Sequence, residues 1–335
     1  MNVLVTGGAG YVGSHAVRRL SAAGHEAWVY DNLSTGHRAA VPPGRLIEGE
    51  LSDGASLSQV MRDRKIDAVM HFAASALVGE SVTNPALYYR NNIVATIALL
   101  EAMRTSGVWR IVFSSSCATY GEPERVPIDE NQRQEPVSPY GFSKLVVEHA
   151  LADYARAYNF GFAALRYFNA AGAAADGTAG PLGEHHDPES HLIPLVLQVA
   201  LGQRKDITIF GSDYPTPDGT CIRDYVHVDD LADAHLAALE GLRPGIAWKL
   251  NLGTGRGYSV REVIDSCRRT SGREIAVREG PRRPGDPPEL VADASLARST
   301  LSWKPRFTKI DDIVKSAWHW HSTHPRGFAD VETKS

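Results

Sequence analysis

Tyr140 and Lys144 stand four residues apart in the run Ser138-Pro139-Tyr140-Gly141-Phe142-Ser143-Lys144. Ser138 can cap a helix by accepting a hydrogen bond from an orphan backbone N–H. Pro139 suits the first helical position, where its missing donor costs nothing. Four-residue spacing then puts the phenol and the ammonium on one helical face. Such a pair is a plausible proton-transfer device. A free phenol has a pKa near ~10, too high for a base at neutral pH, and an adjacent positive charge favours phenolate. A shift of roughly 3 units corresponds to about 4 kcal/mol, within reach of a few close, partly desolvated charges. Ser116, which ends an apolar run, is placed to hydrogen-bond the same substrate hydroxyl.

A second group of residues says what the proton transfer would serve. Gly8-x-Gly10-x-x-Gly13 follows a short apolar strand and opens an Ala-rich helix. Glycines there let the backbone turn tightly and approach a pyrophosphate, whose charge is met by the helix N-terminus. The motif alone is weak; here it has the required strand and helix, and Asp31 at the tip of the next strand. A carboxylate at that tip accepts from adenosine ribose hydroxyls and repels a 2′-phosphate, so NAD is expected rather than NADP. Arg38, a little downstream, is the one residue that softens this expectation. With NAD in place, Tyr140, Lys144 and Ser116 read as a base poised for redox chemistry on a bound sugar.

The elements that must position these groups alternate along the first half. Strands are expected at Asn2 to Thr6, His25 to Tyr30, Arg45 to Glu48, Asp67 to Phe72, Trp109 to Ser114 and Phe162 to Tyr167. Helices are expected after the glycine loop to about Ala23, at about Ala55 to Arg64, Asn84 to Met103, and Pro139 to about Asn159. The strands are apolar without period-two alternation, the pattern of a parallel sheet covered on both faces. The fold class is therefore α/β, a Rossmann-type doubly wound parallel sheet with a smaller, interleaved C-terminal α/β unit. After Asn169 the character shifts to an Ala/Gly/Pro-rich loop over 170–189, shorter helices at about 191–201, 228–240, 259–271 and 310–322, and a Pro-rich loop from Pro281 to Pro288. The expected division is a dinucleotide-binding domain over 1–169, with 222–253 returning to it, and a substrate domain over 170–335.

The bulk numbers exclude several classes of function. With 335 residues, 43% of them hydrophobic, the chain can bury one large core or two interlocked ones. A net charge of −4 and pI of about 6.4, without long runs of one sign, give no electrostatic support for nucleic-acid or membrane-surface binding. Val3-Leu4-Val5 follows Met1 too closely for a signal sequence, and no apolar run is long enough to span a bilayer. Three widely spaced cysteines, Cys117, Cys221 and Cys267, fit reduced thiols in a cytoplasmic protein.

Further matches run nearly end to end: Tyr30-Asp31-Asn32-Leu33, His71-Phe72-Ala73, Val78-Gly79-Glu80-Ser81, Phe113-Ser114-Ser115-Ser116 and Leu165-Arg166-Tyr167-Phe168-Asn169. They continue with Ile209-Phe210-Gly211, Asp213-Tyr214-Pro215-Thr216, the stretch from Gly219 to Val228, Arg282-Arg283-x-Gly285-Asp286 and Trp318-His319-Trp320. With Thr6 to Gly13 and the Ser116/Tyr140/Lys144 set, they resemble the extended short-chain dehydrogenase/reductases, and within them the branch that inverts C4 of UDP-hexoses. That resemblance implies a redox cycle on tightly held NAD that interconverts UDP-glucose and UDP-galactose. Tyr140 takes the proton of the sugar 4-hydroxyl, Lys144 holds the nicotinamide ribose and lowers the Tyr140 pKa, and Ser116 orients the hydroxyl.

By the same resemblance, Gly7, Gly10, Tyr11, Val12 and Gly13 cradle the pyrophosphate. Asp31, Asn32, Leu33, Ser34, Thr35, Gly36, Glu50 and Leu51 surround the adenosine. Phe72, Ala73, Ala74, Ala76, Asn92 and Phe168 line the nicotinamide side. Asn169, Arg223 and Arg283 bind the substrate diphosphate, His191 lies near the nucleotide, Thr208, Ile209, Phe210 and Asp286 hold the uridine, and Leu290 faces the sugar. A homodimer through helices at about 84–104 and 139–158 is implied as well.

Four positions depart from the best-known bacterial pattern: Glu50 for Asp, Ala76 for Lys, His191 for Asn, and Leu290 for a Tyr that closes the pocket. The smaller wall at Leu290 leaves room for an N-acetyl group, so activity on UDP-GlcNAc and UDP-GalNAc is expected. Dehydratases of the superfamily carry an Asp-Glu pair where this chain has Cys117 and Ala118, which cannot transfer protons in that role. Remaining alternatives are an epimerase of another UDP-sugar, a pentose or uronate, or a non-catalytic NAD-sensing regulator. His185-His186 and His319/His321/His324 show no matching cysteine or carboxylate cluster in sequence, so no metal is expected.

Overall fold

Val3, Leu4 and Val5 are wholly buried in the computed structural model, which describes residues 1–174, 180–283 and 285–329. Parts of the expected 170–189 loop, of the Pro281 to Pro288 run and of the C-terminal end lie outside the described residues. The first half runs β1 (Asn2–Thr6), α1 (Tyr11–Ala22), β2 (Glu26–Asp31), β3 (Leu46–Glu48), α2 (Gly54–Asp63) and β4 (Ala68–His71). It continues α3 (Val78–Thr83), α4 (Pro85–Tyr88), a π-helical stretch Tyr89–Val94, α5 (Ala95–Ser106), β5 (Arg110–Ser116), α6 (Pro139–Tyr158) and β6 (Gly161–Tyr167).

The second half contributes β7 (Asn169–Ala171), α7 (Leu192–Ala200), β8 (Ile207–Phe210), β9 (Ile222–His227), α8 (Val228–Gly241) and β10 (Ala247–Leu252). Then come β11 (Gly257–Ser259), α9 (Val260–Ser271), β12 (Val277–Gly280), β13 (Glu289–Leu290), α10 (Ser295–Leu301) and α11 (Ile310–Thr323). The main sheet has the order β10-β6-β5-β4-β1-β2-β3 and is parallel at each pairing. It is the doubly wound α/β sheet that the strand pattern predicted.

Alternation along each strand explains why the sequence looks uniformly apolar. Val3, Val5, Met70, Val112 and Leu165 join one core with Leu20 of α1 and Leu231 and Leu239 of α8. Leu4, Val69, Ile111, Phe113 and Phe162 face the opposite core, with Leu57 of α2, Leu99 and Met103 of α5 and Val147 and Leu151 of α6. Both faces are dry, so each strand position needs an apolar residue. β1 lies between β2 and β4, with crossovers leaving to opposite sides, and the crevice at such a switch point is where ligands of this architecture bind.

A third core, with Ile193 and Leu197 of α7, Ile209, Val263 and Ile264 of α9 and Ile313 and Val314 of α11, sits under the short strands of the second half. Ser259 opens α9 with a full capping box, its hydroxyl accepting from Glu262 N at 3.1 Å while Glu262 accepts from Ser259 N at 2.8 Å.

Two differences from the sequence expectation matter. The helix expected from Asn84 to Met103 is interrupted by the π-helical stretch, which carries Asn91 and Asn92. The short α3, α10 and β13 were not anticipated; at six, seven and two residues they are too short for hydrophobic periodicity to register.

Candidate active site

Ser138 caps α6, accepting from Gly141 N at 3.2 Å, and Pro139 occupies the first turn. One helical turn then presents Tyr140 and Lys144 to the C-terminal end of β5, where Ser116 sits. All three are buried, at 9%, 4% and 8% exposure, so a reaction there proceeds with little bulk water. Lys144 Nζ donates to Ser114 O at 2.8 Å and lies 5.9 Å from the centre of the Tyr140 ring.

The protein's own groups do not by themselves lower the phenol pKa. Burial pushes Tyr140 well above its ordinary value, Tyr167 adds to the rise, and hydrogen bonding from Ser116 opposes it. Burial also pulls Lys144 down to about 7. In the interior the desolvation of each group outweighs what the two do for each other at this separation.

Asn92 was expected beside the nicotinamide, and its local role is to tie three elements together. Its side chain donates to Ser75 O at 2.9 Å and Ser143 Oγ at 3.0 Å, and accepts from Ser75 N at 2.8 Å. The π-helical turn is what aims Asn92 between the loop after β4 and α6; such turns concentrate at functional sites.

Around the glycine loop each missing side chain can be assigned a cause. A Cβ on Gly13 would fall 2.2 Å from Gly7 O, and one on Gly7 would fall 2.4 Å from Ala73 N, so both are needed for close packing. A Cβ on Gly10 would come no nearer than 3.4 Å to the surrounding protein. Its absence keeps open the space before α1, whose N-terminus has no side-chain cap and no acidic residue in its first turn. That is a cradle for an anion.

Asp31, at the end of β2, accepts from Ala9 N at 3.0 Å and Leu33 N at 2.9 Å, which locks the loop to the strand tip. Gly36 packs on Ala9, and Ser34 N donates to Asn32 Oδ1 at 3.0 Å. Asn32 Nδ2 reaches Glu50 at 3.2 Å, while Leu51 is buried in the core beneath. Arg38 is paired with Glu48 on β3, which turns its guanidinium toward a partner of its own. These residues fit a dinucleotide with free ribose hydroxyls.

On the substrate side the chain brings distant positions together. β13 pairs with β9 so that Leu290 lies opposite Arg223. Leu290 and Cys117 both pack on the cluster of Tyr120, Ile128, Phe168 and Ala292. Asn169 begins β7, opposite Tyr225 of β9. Arg223 is bonded to Asp286, Pro287 O (2.8 Å) and Ile222 O (2.6 Å), so two residues assigned to different parts of the substrate are partners of one another. The Arg283 guanidinium lies 4.3 Å from the Phe210 ring. Thr208 Oγ1 accepts from Arg278 Nε at 2.9 Å. The Ile209 side chain belongs to the third core at 1% exposure, so within the Thr208 to Phe210 segment Ile209 offers a ligand its backbone alone.

His191, expected near the nucleotide, has partners within the chain. It pairs with Glu184, and His186 Nδ1 lies 3.4 Å from Glu184 and 3.5 Å from Glu189. The carboxylates missing around the His185-His186 pair in the sequence reading are thus present in space. Sequence reasoning also passed over Ser75, Ser114, Ser143 and the buried Glu148–Arg166 pair, whose roles depend on which strand or helix ends adjoin.

The sequence pattern of the NAD dependent epimerase/dehydratase family matches residues 3–253. Over 332 residues, the chain is 50% identical to UDP-glucose 4-epimerase of Lacticaseibacillus casei, covering 98% of this chain and 99% of that protein. A crystal structure of UDP-glucose 4-epimerase from Brucella ovis in complex with NAD is similar with a TM-score of 0.90 and 51% identity, over 95% of this chain and 97% of that one. The UDP-Glc/GlcNAc 4-epimerase from Campylobacter jejuni is similar with a TM-score of 0.83 and 42% identity, over 96% of this chain and 99% of that one.

Proposed function

Because this chain belongs to the NAD dependent epimerase/dehydratase family, we infer that it interconverts UDP-glucose and UDP-galactose through transient oxidation at C4. The observation that carries this reading is the meeting of Ser116, Tyr140 and Lys144 in one buried place at the end of the sheet that also carries the glycine loop. NAD, when bound, supplies the reversible two-electron acceptor for the C4 hydrogen, and its positive nicotinamide adds the charge that favours phenolate.

Tyr140 takes the proton from the 4-hydroxyl as C4 is oxidised to a ketone, and gives it back when C4 is reduced. Ser116 holds the same oxygen by hydrogen bonding. Lys144, fixed on Ser114 O, donates to the cofactor ribose and adds positive charge near the phenol. Turning of the 4-keto sugar between the two half-reactions exposes its opposite face, which inverts C4. Arg223 and Arg283, with Asn169, hold the diphosphate throughout, since guanidinium forks match phosphate oxygens. Cys117 and Ala118 offer no acid or base to expel water, so the ketone is returned as a hexose.

The test is turnover of UDP-galactose with the bound cofactor monitored. Tyr140→Phe should abolish nearly all turnover while NAD remains bound; unchanged turnover would remove Tyr140 from the mechanism.

The substrate range is read from Leu290, whose place against the Phe168 cluster and opposite Arg223 supports an open wall at the sugar 2-position and activity on UDP-GlcNAc and UDP-GalNAc. Two units are proposed, 1–169 with 222–253 returning and 170–335, supported by β10 completing the main sheet beside β6. A homodimer is supported by Tyr89, Val94 and Phe142, apolar and 40–60% exposed on the helices expected to pair. A cytoplasmic location is proposed from the three free cysteines. Among the described residues, no helix is long and apolar enough to cross a membrane.

A further inference from the structure

The segment Glu184-His185-His186-Asp187-Pro188-Glu189-Ser190-His191 leads into α7 and has no part in the proton transfer described above. Four of its side chains turn toward one point: one ligand-type atom from each of Glu184, His186, Glu189 and His191 lies within 4.8 Å of the other three. We propose that these four residues form a binding site for a divalent transition-metal ion of the zinc class, which fastens the segment entering α7 independently of the epimerase reading.

Part of the geometry already matches what such an ion needs, and the hydrogen bond between His191 and Glu184 opens to admit it. Metal–ligand bonds of about 2.1 Å in a tetrahedron separate neighbouring ligand atoms by about 3.4 Å. His186 Nδ1 lies 3.4 Å from Glu184 and 3.5 Å from Glu189, beyond good hydrogen bonds and at that tetrahedral spacing. The same nitrogen is buried without a hydrogen-bond partner. Two imidazoles and two carboxylates suit zinc, whereas calcium and magnesium prefer oxygen alone.

Burial adds a reason for a cation. The Glu184 and Glu189 side chains are only 3% and 5% exposed, and two carboxylates removed from water side by side require positive charge between them. The backbone carrying them is held from outside: Trp320 Nε1 of α11 donates to Glu184 O at 3.0 Å, and His37 Nε2 meets His185 O at 3.0 Å with the two rings stacked at 4.8 Å. A preformed loop loses little further entropy when the ion enters.

The experiment titrates Zn2+ into chelator-stripped, NAD-loaded protein, with a chromophoric competitor reporting free metal. Wild type should bind one equivalent per chain and gain at least about 4 °C in melting temperature at a hundredfold excess over Kd. Co2+ in its place should give the visible absorption of tetrahedral cobalt. His186→Ala/His191→Ala and, separately, Glu184→Gln/Glu189→Gln should each weaken binding at least a hundredfold while keeping the wild-type far-ultraviolet circular dichroism. His319→Ala, outside the cluster, should bind as wild type does. Substoichiometric binding, or equal binding by wild type and both double variants, would overturn the proposal and leave the cluster an ion-paired network of protonated histidines.

Discussion

Burial and charge act in opposite directions on Tyr140, and the mechanism depends on which wins in the loaded site. The protein's own groups keep the phenol protonated, because its burial raises its pKa and Tyr167 adds to the rise. The base function proposed for Tyr140 would therefore rest on positive charge brought by NAD, and the reaction would begin only when hydride acceptor and hydroxyl are both in place. Tyr140→Phe is expected to lower kcat about 10³-fold with KM nearly unchanged and NAD retained, measured by steady-state assay and by release of dinucleotide on denaturation. At Leu290 the outcome is one of room rather than charge. Leu290→Tyr should abolish turnover of UDP-GalNAc while UDP-galactose is still converted within severalfold of wild type; equal loss on both substrates would show that the wall acts on folding instead. Pentose and uronate UDP-sugars belong in the same panel.

At the level of elements, α6 must be held in register on the sheet if one of its turns is to deliver the two side chains proposed as catalytic. Glu148, one turn beyond Lys144, is wholly buried and bidentate to Arg166 of β6, with Ser115 of β5 donating to it at 2.7 Å. Arg166 extends the chain of bonds to Tyr120 at 2.8 Å, and Tyr120 to Asn251 of β10 at 2.7 Å. Glu148→Gln leaves a buried guanidinium without its counter-charge and should cost about 3 kcal/mol or more of stability. Urea denaturation of the NAD-loaded protein measures it, and an unchanged midpoint would mean that the pair does not key the helix to the sheet. Asn92 does the corresponding work for the loop after β4, through a π-helical turn that places its amide against Ser143 of α6.

Across the whole molecule, several histidines are buried in their neutral form. His71 is held at about 3, first by burial and then by Lys144, between Thr6 and Thr96 hydroxyls each at 2.8 Å. Burial holds His227 at about 3 and His235 at about 4. Between pH 6.5 and these values the unfolded chain binds protons that the folded chain refuses, so stability falls as pH falls through that window. Each such group contributes about 1.4 kcal/mol per pH unit once the pH is well below ~6.5. The wild-type midpoint in urea should therefore drop between pH 7 and 5, and His71→Gln should flatten that slope by up to one proton; identical slopes would show that His71 is charged in the folded state. The exposed apolar Tyr89, Val94 and Phe142 belong to this scale too, as the surface on which the proposed homodimer would be tested.

Some of this protein was decided by local chemistry and was therefore legible in the chain. The glycine loop, the Ser138 cap and the four-residue spacing of Tyr140 and Lys144 depend on neighbours in sequence, and the parallel sheet announces itself because both of its faces must be apolar. What tertiary structure alone decided are the meetings between distant residues: Leu290 opposite Arg223, Arg223 on Asp286, Lys144 on Ser114 O, and Glu184 and Glu189 closing on His186 and His191. The sign of the pKa shift at Tyr140 belongs with them. Desolvation is set by everything that packs around a group, and no spacing along the chain records how much water the folded protein removes.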